Sequence, residues 1–367
     1  MTPYNWQQKD WPNFKYSLSG MDDDLFSFTE HTGHTSGILK ALPENIQMEA
    51  IIDMMVAEAI KTSEIEGEYL SRKDVFSSVK KNLGLLSKVQ IKDKKAAGAG
   101  ELMTDVRNTF KEPLTKEKLF AWHTMLMADT KEVEIGKWRT HAEPMQVVSG
   151  AAGKEKVHFE APPSAAVAKE MKLFLQWFND TAPGGRKEIK KAPVRAAVAY
   201  LYFESIHPFE DGNGRIGRAI AEKALSQGVG RPVMLSLSKT IEAAKKDYYT
   251  ALQKAQRSNG ISSWVNYFVT TILQAQKEAE TQIDFTLKKV KFFDRFKNQL
   301  NERQFTVIKR MLDEGPEGFK GGMNARKYAG ITKTSKATAT RDLQFLASIN
   351  ALTAFGGGRS TGYQVNL

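Results

Sequence analysis

His207-Pro208-Phe209-Glu210-Asp211-Gly212-Asn213-Gly214-Arg215-Ile216-Gly217-Arg218 reads as a helix end, a tight turn and a new helix start. Upstream, residues 193–206 are rich in Ala, Val, Leu and aromatics with few charges, which predicts a mostly buried helix. Pro208 forbids its continuation, because proline lacks the N–H and clashes with the preceding turn. Gly212 and Gly214 flank Asn213, so successive backbone N–H groups can point inward without Cβ obstruction. A second helix follows and is expected to stop at about Gly228. N–H groups in a turn at a helix N-terminus attract anions, and the helix dipole adds to the effect. Around that nest stand a potential base (His207), a hard-metal ligand (Asp211) and two guanidinium groups about one turn apart (Arg215 and Arg218). The combination predicts a phosphate site with chemistry attached.

The same residues resemble the signature of the Fic family, His-Pro-Phe-x-Asp/Glu-Gly-Asn-Gly/Lys-Arg-x-x-Arg, at every specified position. The resemblance implies transfer of AMP from ATP to a Ser, Thr or Tyr hydroxyl of a protein. On it, His207 is the general base and Asp211 holds Mg²⁺ between phosphate oxygens. The Gly212, Asn213 and Gly214 turn cradles the α and β phosphates, Arg215 supports the phosphates or the turn, and Arg218 reaches the γ-phosphate. Phe209 anchors the loop in the core. Alternatives stay open: the same site could remove AMP or move another nucleotide, or the chain could be a DNA-binding regulator with a vestigial Fic core.

Residues 43–66 form a helix whose Ile51, Ile52, Met55, Val56, Ala59 and Ile60 mark one buried face. Glu66 follows Ile52 by fourteen residues, which at about 100° per residue returns it to within roughly 40° of that face. A carboxylate facing inward calls for a cation. Thr62-Ser63-Glu64-Ile65-Glu66-Gly67 resembles the inhibitory Ser/Thr-x-x-x-Glu-Gly/Asn pattern of the family in its version N-terminal to the core. The resemblance implies that Glu66 pairs with Arg218 and displaces the γ-phosphate, with Thr62 and Gly67 completing the motif.

The fold class expected is mainly α: a Fic-type helical core with a small β-hairpin flap, plus a C-terminal winged helix-turn-helix domain. Residues 1–42, with Trp6, Trp11, Phe14, Tyr16, Leu25, Phe26 and Phe28, read as an aromatic arm docked on the main body, because so many exposed rings would promote association. His31 and His34 lack further spaced ligands and read as solvated loop or helix-end residues. The core is expected over 43–281, with the inhibitory helix at 43–67 and the flap at 136–163. Helices are expected at 74–83, 93–110, 115–128 with a packed His123, 164–180, 235–258 and 261–280. The flap reads from two β-type runs, 144–149 and 156–159, around Gly150-Ala151-Ala152-Gly153, with His141 and His158 as structural or surface residues. In the family such a hairpin follows a Gly-x-Trp-Arg segment like Gly136-Lys137-Trp138-Arg139 and covers the active site, where its edge could pair with an extended target segment. A Tyr-Tyr-x-Ala-Leu run, here Tyr248-Tyr249-Thr250-Ala251-Leu252, is also similar to the family's, and one tyrosine either flanks the base or packs in the core.

Residues 282–367 carry 15 Lys/Arg against 7 Asp/Glu, so +8 of the chain's net +11 lies there. That asymmetry suggests a partner that is a polyanion. The order helix, helix-turn-helix, then two strands around Gly356-Gly357-Gly358-Arg359 resembles a winged helix-turn-helix. Its Lys336, Thr340 and Gln344 could face a major groove, with Arg359 in the wing. DNA, a protein or a homodimer partner are the readings left open for it. The chain has no Cys, which excludes disulfides and thiol catalysis. No apolar run approaches the length of a membrane span, and Met1–Trp6 shows no export signal, so the cytoplasm is the default expectation. The implied substrate and metal are ATP and Mg²⁺, and the implied acceptor is a protein hydroxyl, with the chain itself as one candidate.

Overall fold

The structure, a computed structural model, describes residues 3–87, 90–130, 133–149, 156–357 and 361–367. The expected Gly150–Gly153 turn and Arg359 lie outside the described residues. Fourteen α-helices and two antiparallel strand pairs make up the described chain. It divides into two compact units, one of residues 1–33 and 45–277, the other of residues 34–44 and 278–367. No helix among the described residues is long and apolar enough to cross a membrane.

The first unit is built around α7 (Ala192–Ile206), in which every residue is buried. Its two charges have different fates. Arg195 satisfies its guanidinium on the Phe178 and Ala224 carbonyls, Thr181 and Gln227, closing the C-terminal end of α6 (Ser164–Asp180). Glu204 has no comparable set of donors. Packed along α7 is α8 (Asn213–Val229), which ends at Gly230 (φ 79°). The stop expected at Gly228 is thus two residues late: Gly228 sits inside the helix, where a Cβ would come within 2.5 Å of the Ala192 side chain. Close packing, not the left-handed turn, requires glycine there. On the flanks lie α2 (Glu44–Ile65), α3 (Arg72–Asn82), α4 (Lys94–Asn108) and α5 (Lys116–Met127). Asp93 and Thr115 cap the last two through the N–H groups of Ala96 and Lys118.

Residues 237–255 are two helices rather than one, α9 (Leu237–Ala243) and α10 (Lys245–Ala255), broken at Ala244 (φ −125°, ψ 38°). Conversely, α11 (Ser262–Phe296) runs unbroken past the expected boundary at 281/282. Its Trp264 indole donates to the Ala197 carbonyl of α7 at 2.8 Å. In the N-terminal arm, Trp11 and Phe14 pack edge-on against Tyr202 at 5.2 and 5.5 Å. Beyond them the chain forms α1 (Asp22–Ala41), a helix within the expected arm that places His31 and His34 in mid-helix rather than in a loop or at a helix end. Met21, Leu25 and Phe28 are buried, whereas Phe26 is 72% exposed, contrary to the expectation that all the rings dock. Asp22, Asp23 and Asp24 fill the first turn, the signal that was available.

Strands β1 (Gln146–Ser149) and β2 (Lys156–Glu160) pair antiparallel, with Val147 opposite Phe159 and a bulge after Val147. Phe159 anchors the hairpin and is buried, while Val148 and Val157 are exposed. Trp6 donates to the Glu160 carbonyl at 2.7 Å, and Asn5 donates to Ser205 at 2.7 Å, so the arm holds both the hairpin and the end of α7.

In the second unit, α12 (Glu302–Leu312), α13 (Ala325–Thr332) and α14 (Lys336–Ser348) precede β3 (Leu352–Phe355) and β4 (Gly362–Val365). Asn301, Asn324 and Ser335 cap the three helices. Buried Asp342 ties them together, accepting from Arg303, Gln304 and Tyr328.

Fully buried His123 in α5 stacks on Phe209 with ring centroids 4.1 Å apart. Its Nδ1 accepts the Gly136 N–H at 2.9 Å, which requires a neutral ring with its proton on Nε2. Burial holds its pKa at about 4, below the usual 6.5. The unfolded chain therefore takes up this proton first, and stability present above pH 6.5 is lost as pH falls toward 4. The loss reaches about 3 kcal/mol. Denaturant unfolding across that window should show a shallower pH dependence in His123→Gln; identical slopes in both proteins would contradict this.

Candidate active site

The segment between α7 and α8 is held rigid from three sides. His207 closes α7 in the left-handed region (φ 50°, ψ 61°), its N–H donating to the Phe203 carbonyl at 2.9 Å. A non-glycine residue there is disfavoured and must be held by its surroundings. Arg139 provides the hold: its buried guanidinium donates to the carbonyls of His207 (2.8 Å), Ile206 (3.3 Å) and Pro162 (2.5 Å) and to Ser164 (2.9 Å). Burial lowers the Arg139 pKa to about 10, which leaves it charged at neutral pH. Phe209 is fully buried between His123 and Trp138.

The Asn213 side chain closes the loop, accepting the Phe209 N–H at 2.9 Å and donating to the Phe209 carbonyl at 2.8 Å. Both ends of its amide are thereby engaged with the backbone. Gly212 (φ 80°) permits the turn, and a Cβ on it would meet the Met127 side chain at 2.7 Å. The first-turn N–H groups of α8 lack intrahelical acceptors, as at any helix start.

A cleft of about 580 Å³ opens beside this turn. Its walls include His207, Gly214, Glu66, Tyr248 and Tyr249, with Val147, Val148 and His158 from the β-hairpin. That volume is in the range of small-molecule sites. His158 bridges Ser149 and Gln253, its Nδ1 lying 2.8 Å from the Gln253 amide, and so connects the hairpin to α10. Tyr248 is buried and shares a hydrogen bond with Tyr200, while Tyr249 is only partly covered and its hydroxyl donates to the Ile65 carbonyl at 3.4 Å. Burial raises the Tyr249 pKa to about 12, so both ring and hydroxyl stay neutral. Of the two tyrosines, Tyr249 has the more accessible ring.

Glu66 and Arg218, 152 positions apart in sequence, meet: Glu66 Oε1 accepts from an Arg218 terminal nitrogen at 2.7 Å. Thr62 accepts from the same guanidinium, its hydroxyl from Nε at 2.7 Å and its carbonyl from the nitrogen that Glu66 engages at 2.9 Å, while the other terminal nitrogen is buried without a hydrogen-bond partner. Gly67 (φ 83°) turns the chain away immediately afterwards. A Cβ on Gly214 would lie 2.3 Å from Glu66 Oε1, so glycine at the helix start is what admits the carboxylate. Arg218 has a side chain only 1% exposed against 30% for Glu66. Desolvation pulls the Arg218 pKa down, but the Glu66 charge and the neighbours that face it outweigh this and push it up.

Arg215 pairs with Glu68 and lies 3.5 Å from Asp211 Oδ2, and the Asp211 side chain is largely exposed. Asp211 Oδ1 also accepts the Gly212 N–H. Sequence reasoning missed Glu68 and Glu204. The signal for Glu204 was available: it is an acid in an apolar helix, three residues before His207.

Residues 113–225 match the model of the Fic/DOC family, and residues 4–85 match a domain of unknown function (DUF4172). Protein adenylyltransferase fic-1 of Caenorhabditis briggsae is 26% identical over 139 residues, 38% of this chain and 24% of that protein. Protein adenylyltransferase Fic of Nematostella vectensis is 24% identical over 199 residues, 53% of this chain and 42% of that protein. The chain thus spans less than half the length of these curated relatives. The fold is similar to that of a Fic family protein from Desulfovibrio desulfuricans G20, with a TM-score of 0.52 at 17% identity over 95% of this chain and 97% of that one. The matched residues 113–225, which contain the whole His207–Arg218 loop, form a Fic/DOC domain.

Proposed function

We propose that the chain transfers AMP from ATP to a protein hydroxyl and is restrained by its own Glu66. The observation that carries this reading is the Glu66–Arg218 ion pair at the start of α8, beside a cleft bordered by His207. A helix start with a buried guanidinium behind it suits a polyphosphate. In the reaction the acceptor oxygen bonds to the α-phosphorus, the bond to the β-phosphate bridging oxygen breaks, and pyrophosphate leaves. His207 takes the hydroxyl proton, a task for which imidazole is well matched at neutral pH. The N–H groups at the start of α8 are aimed where charge grows on the phosphate. Asn213 shapes the turn through its side chain rather than touching phosphate with it.

Mg²⁺ binds ATP enzymes through one or two carboxylates plus substrate phosphates, and exposed Asp211 meets that requirement. Bound there, the ion would neutralise phosphate charge. The two-stranded hairpin, with exposed Val148 and Val157, suits an extended segment of a target protein added along its edge.

Glu66 and a γ-phosphate compete for one cation, so removing the carboxylate frees Arg218. With labelled ATP and Mg²⁺, Glu66→Gly should raise AMP incorporation by roughly tenfold or more. His207→Ala should lower incorporation by about 10²–10⁴-fold. Equal labelling of all three proteins, or release of AMP from modified protein without transfer, would overturn the reading.

For the second unit we infer contact with duplex DNA through a winged helix-turn-helix. From Gly318 to Arg341 the chain has no acidic residue, and Arg326, Lys333, Lys336 and Arg341 are exposed on α13, α14 and the turn between them. Asp342, which follows Arg341 in α14, is buried and paired. Fluorescence anisotropy of a labelled duplex with the full chain should show binding that weakens steeply with salt. Lys336→Ala or Arg341→Ala should each reduce the salt slope by about one. No binding at low salt would contradict the inference.

A further inference from the structure

Within α7, Glu204 is a buried acid whose burial no structural partner explains. Its Oε1 is buried without a hydrogen-bond partner, and its Oε2 lies 3.5 Å from Nδ1 of His207, a nitrogen that also has no hydrogen-bond partner. The position is unfavourable twice over: it is desolvated, and it lies near a helix C-terminus, where the dipole repels negative charge. By contrast, Arg195 in the same helix has four hydrogen-bond partners.

A second feature preserves the arrangement. A Cβ on Gly217, one helix away in α8, would lie 2.7 Å from Glu204 Oε1 and 3.1 Å from the Tyr200 ring. Glycine inside a helix is destabilising relative to alanine. Here it makes the space that the carboxylate occupies.

Among the described residues, His207 is the charged or titratable neighbour that comes within ion-pair distance of the Glu204 carboxylate. Arg218 on α8 bonds Glu66 and Thr62 through Nε and one terminal nitrogen, and its other terminal nitrogen is buried without a hydrogen bond to Glu204 or any other group. Tyr200 on α7 and Tyr248 on α10 bond one another and stay neutral, and Tyr249 on α10 bonds the Ile65 carbonyl. His158 and Lys245 border the same cleft, with His158 engaged by Ser149 and Gln253.

We propose that Glu204 is a positioning residue for His207. Its carboxylate accepts the Nδ1–H, fixing the tautomer that leaves the Nε2 lone pair for the acceptor hydroxyl. The inference rests on the AMP-transfer reading for its catalytic consequence. When the hydroxyl proton moves to Nε2, the ring becomes an imidazolium, and the facing carboxylate stabilises that charge without taking the proton. After pyrophosphate departs, Nε2 returns the proton to water. Apo sites commonly hold such contacts long and tighten them with substrate, which accommodates the 3.5 Å separation.

The test uses the full chain carrying Glu66→Gly, with Glu204→Gln and Glu204→Asp added separately, and thermal melting to establish that each variant is folded. Glu204→Gln should lower kcat by about 10²–10⁴-fold, as loss of an orienting carboxylate does in a comparable dyad. KM for ATP should stay within about twofold, and the limb of the kcat–pH profile that reports the base should move. Glu204→Asp should recover part of the rate. Side-chain nitrogen NMR, with the His207 signals identified by His207→Asn, should show the Nδ1–H tautomer in the parent and its loss in Glu204→Gln. An unchanged rate and pH profile, or a parent ring carrying its proton on Nε2, would overturn the proposal. A parent that transfers no AMP would defeat the transfer reading alone, since the tautomer measurement still decides the positioning role.

Discussion

Arg218 is a guanidinium almost wholly withdrawn from water, and the site is arranged around the anion it requires. Burying such a cation unpaired is among the larger penalties a fold can incur, and removing one member of a buried pair typically costs about 3–5 kcal/mol. In the structure the anion is Glu66, the residue directly after α2, with Thr62 accepting from Nε and from the nitrogen that Glu66 engages. A carboxylate and a phosphate are interchangeable partners for this group, because both accept from the fork in a plane. Whatever displaces Glu66 must therefore itself be anionic. The electrostatics that hold α2 against α8 are then the same electrostatics proposed to restrain the reaction.

The second constraint is rigidity at His207. The residue sits at a backbone conformation that a side chain opposes, and the opposition is overcome by bonds rather than by glycine. Arg139 binds two carbonyls at the end of α7 and, through Pro162 and Ser164, the segment leaving the hairpin. Asn213 locks the other side of the turn onto Phe209. Asn5 fastens the N-terminal arm to Ser205, two residues before the histidine, while Trp6 fastens it to the end of β2. The hairpin and His207 are consequently positioned by the same few polar contacts, which suits the proposed alignment of two reactants.

Much of this was legible in the amino-acid order because local signals agreed with one another. The proline, the glycines and the apolar run before them define the helix-turn-helix at 207–218, and helical phase alone turns Glu66 inward. What escaped reading depended on contacts distant in sequence. Gly228 and Gly230 look alike as helix stops until packing against Ala192 distinguishes them. The helix at 22–41 was obscured by its Gly, Ser, Thr and His content, and the break at Ala244 has no proline or glycine to announce it. Asn213 reads as a phosphate ligand, yet its amide is committed to the Phe209 backbone. Glu204 was visible as a misplaced acid, but its meaning needed the distance to His207 and the space left by Gly217.

The proposed competition for Arg218 is tested most directly by equilibrium binding, apart from any turnover. Calorimetric titration of ATP and of AMP into the wild-type chain and a Glu66→Gln variant separates the γ-phosphate contribution from that of the rest of the nucleotide. If the carboxylate and the γ-phosphate share one cation, the substitution tightens ATP by about tenfold or more and leaves AMP unchanged. An equal gain for both nucleotides, or none for ATP, would contradict it.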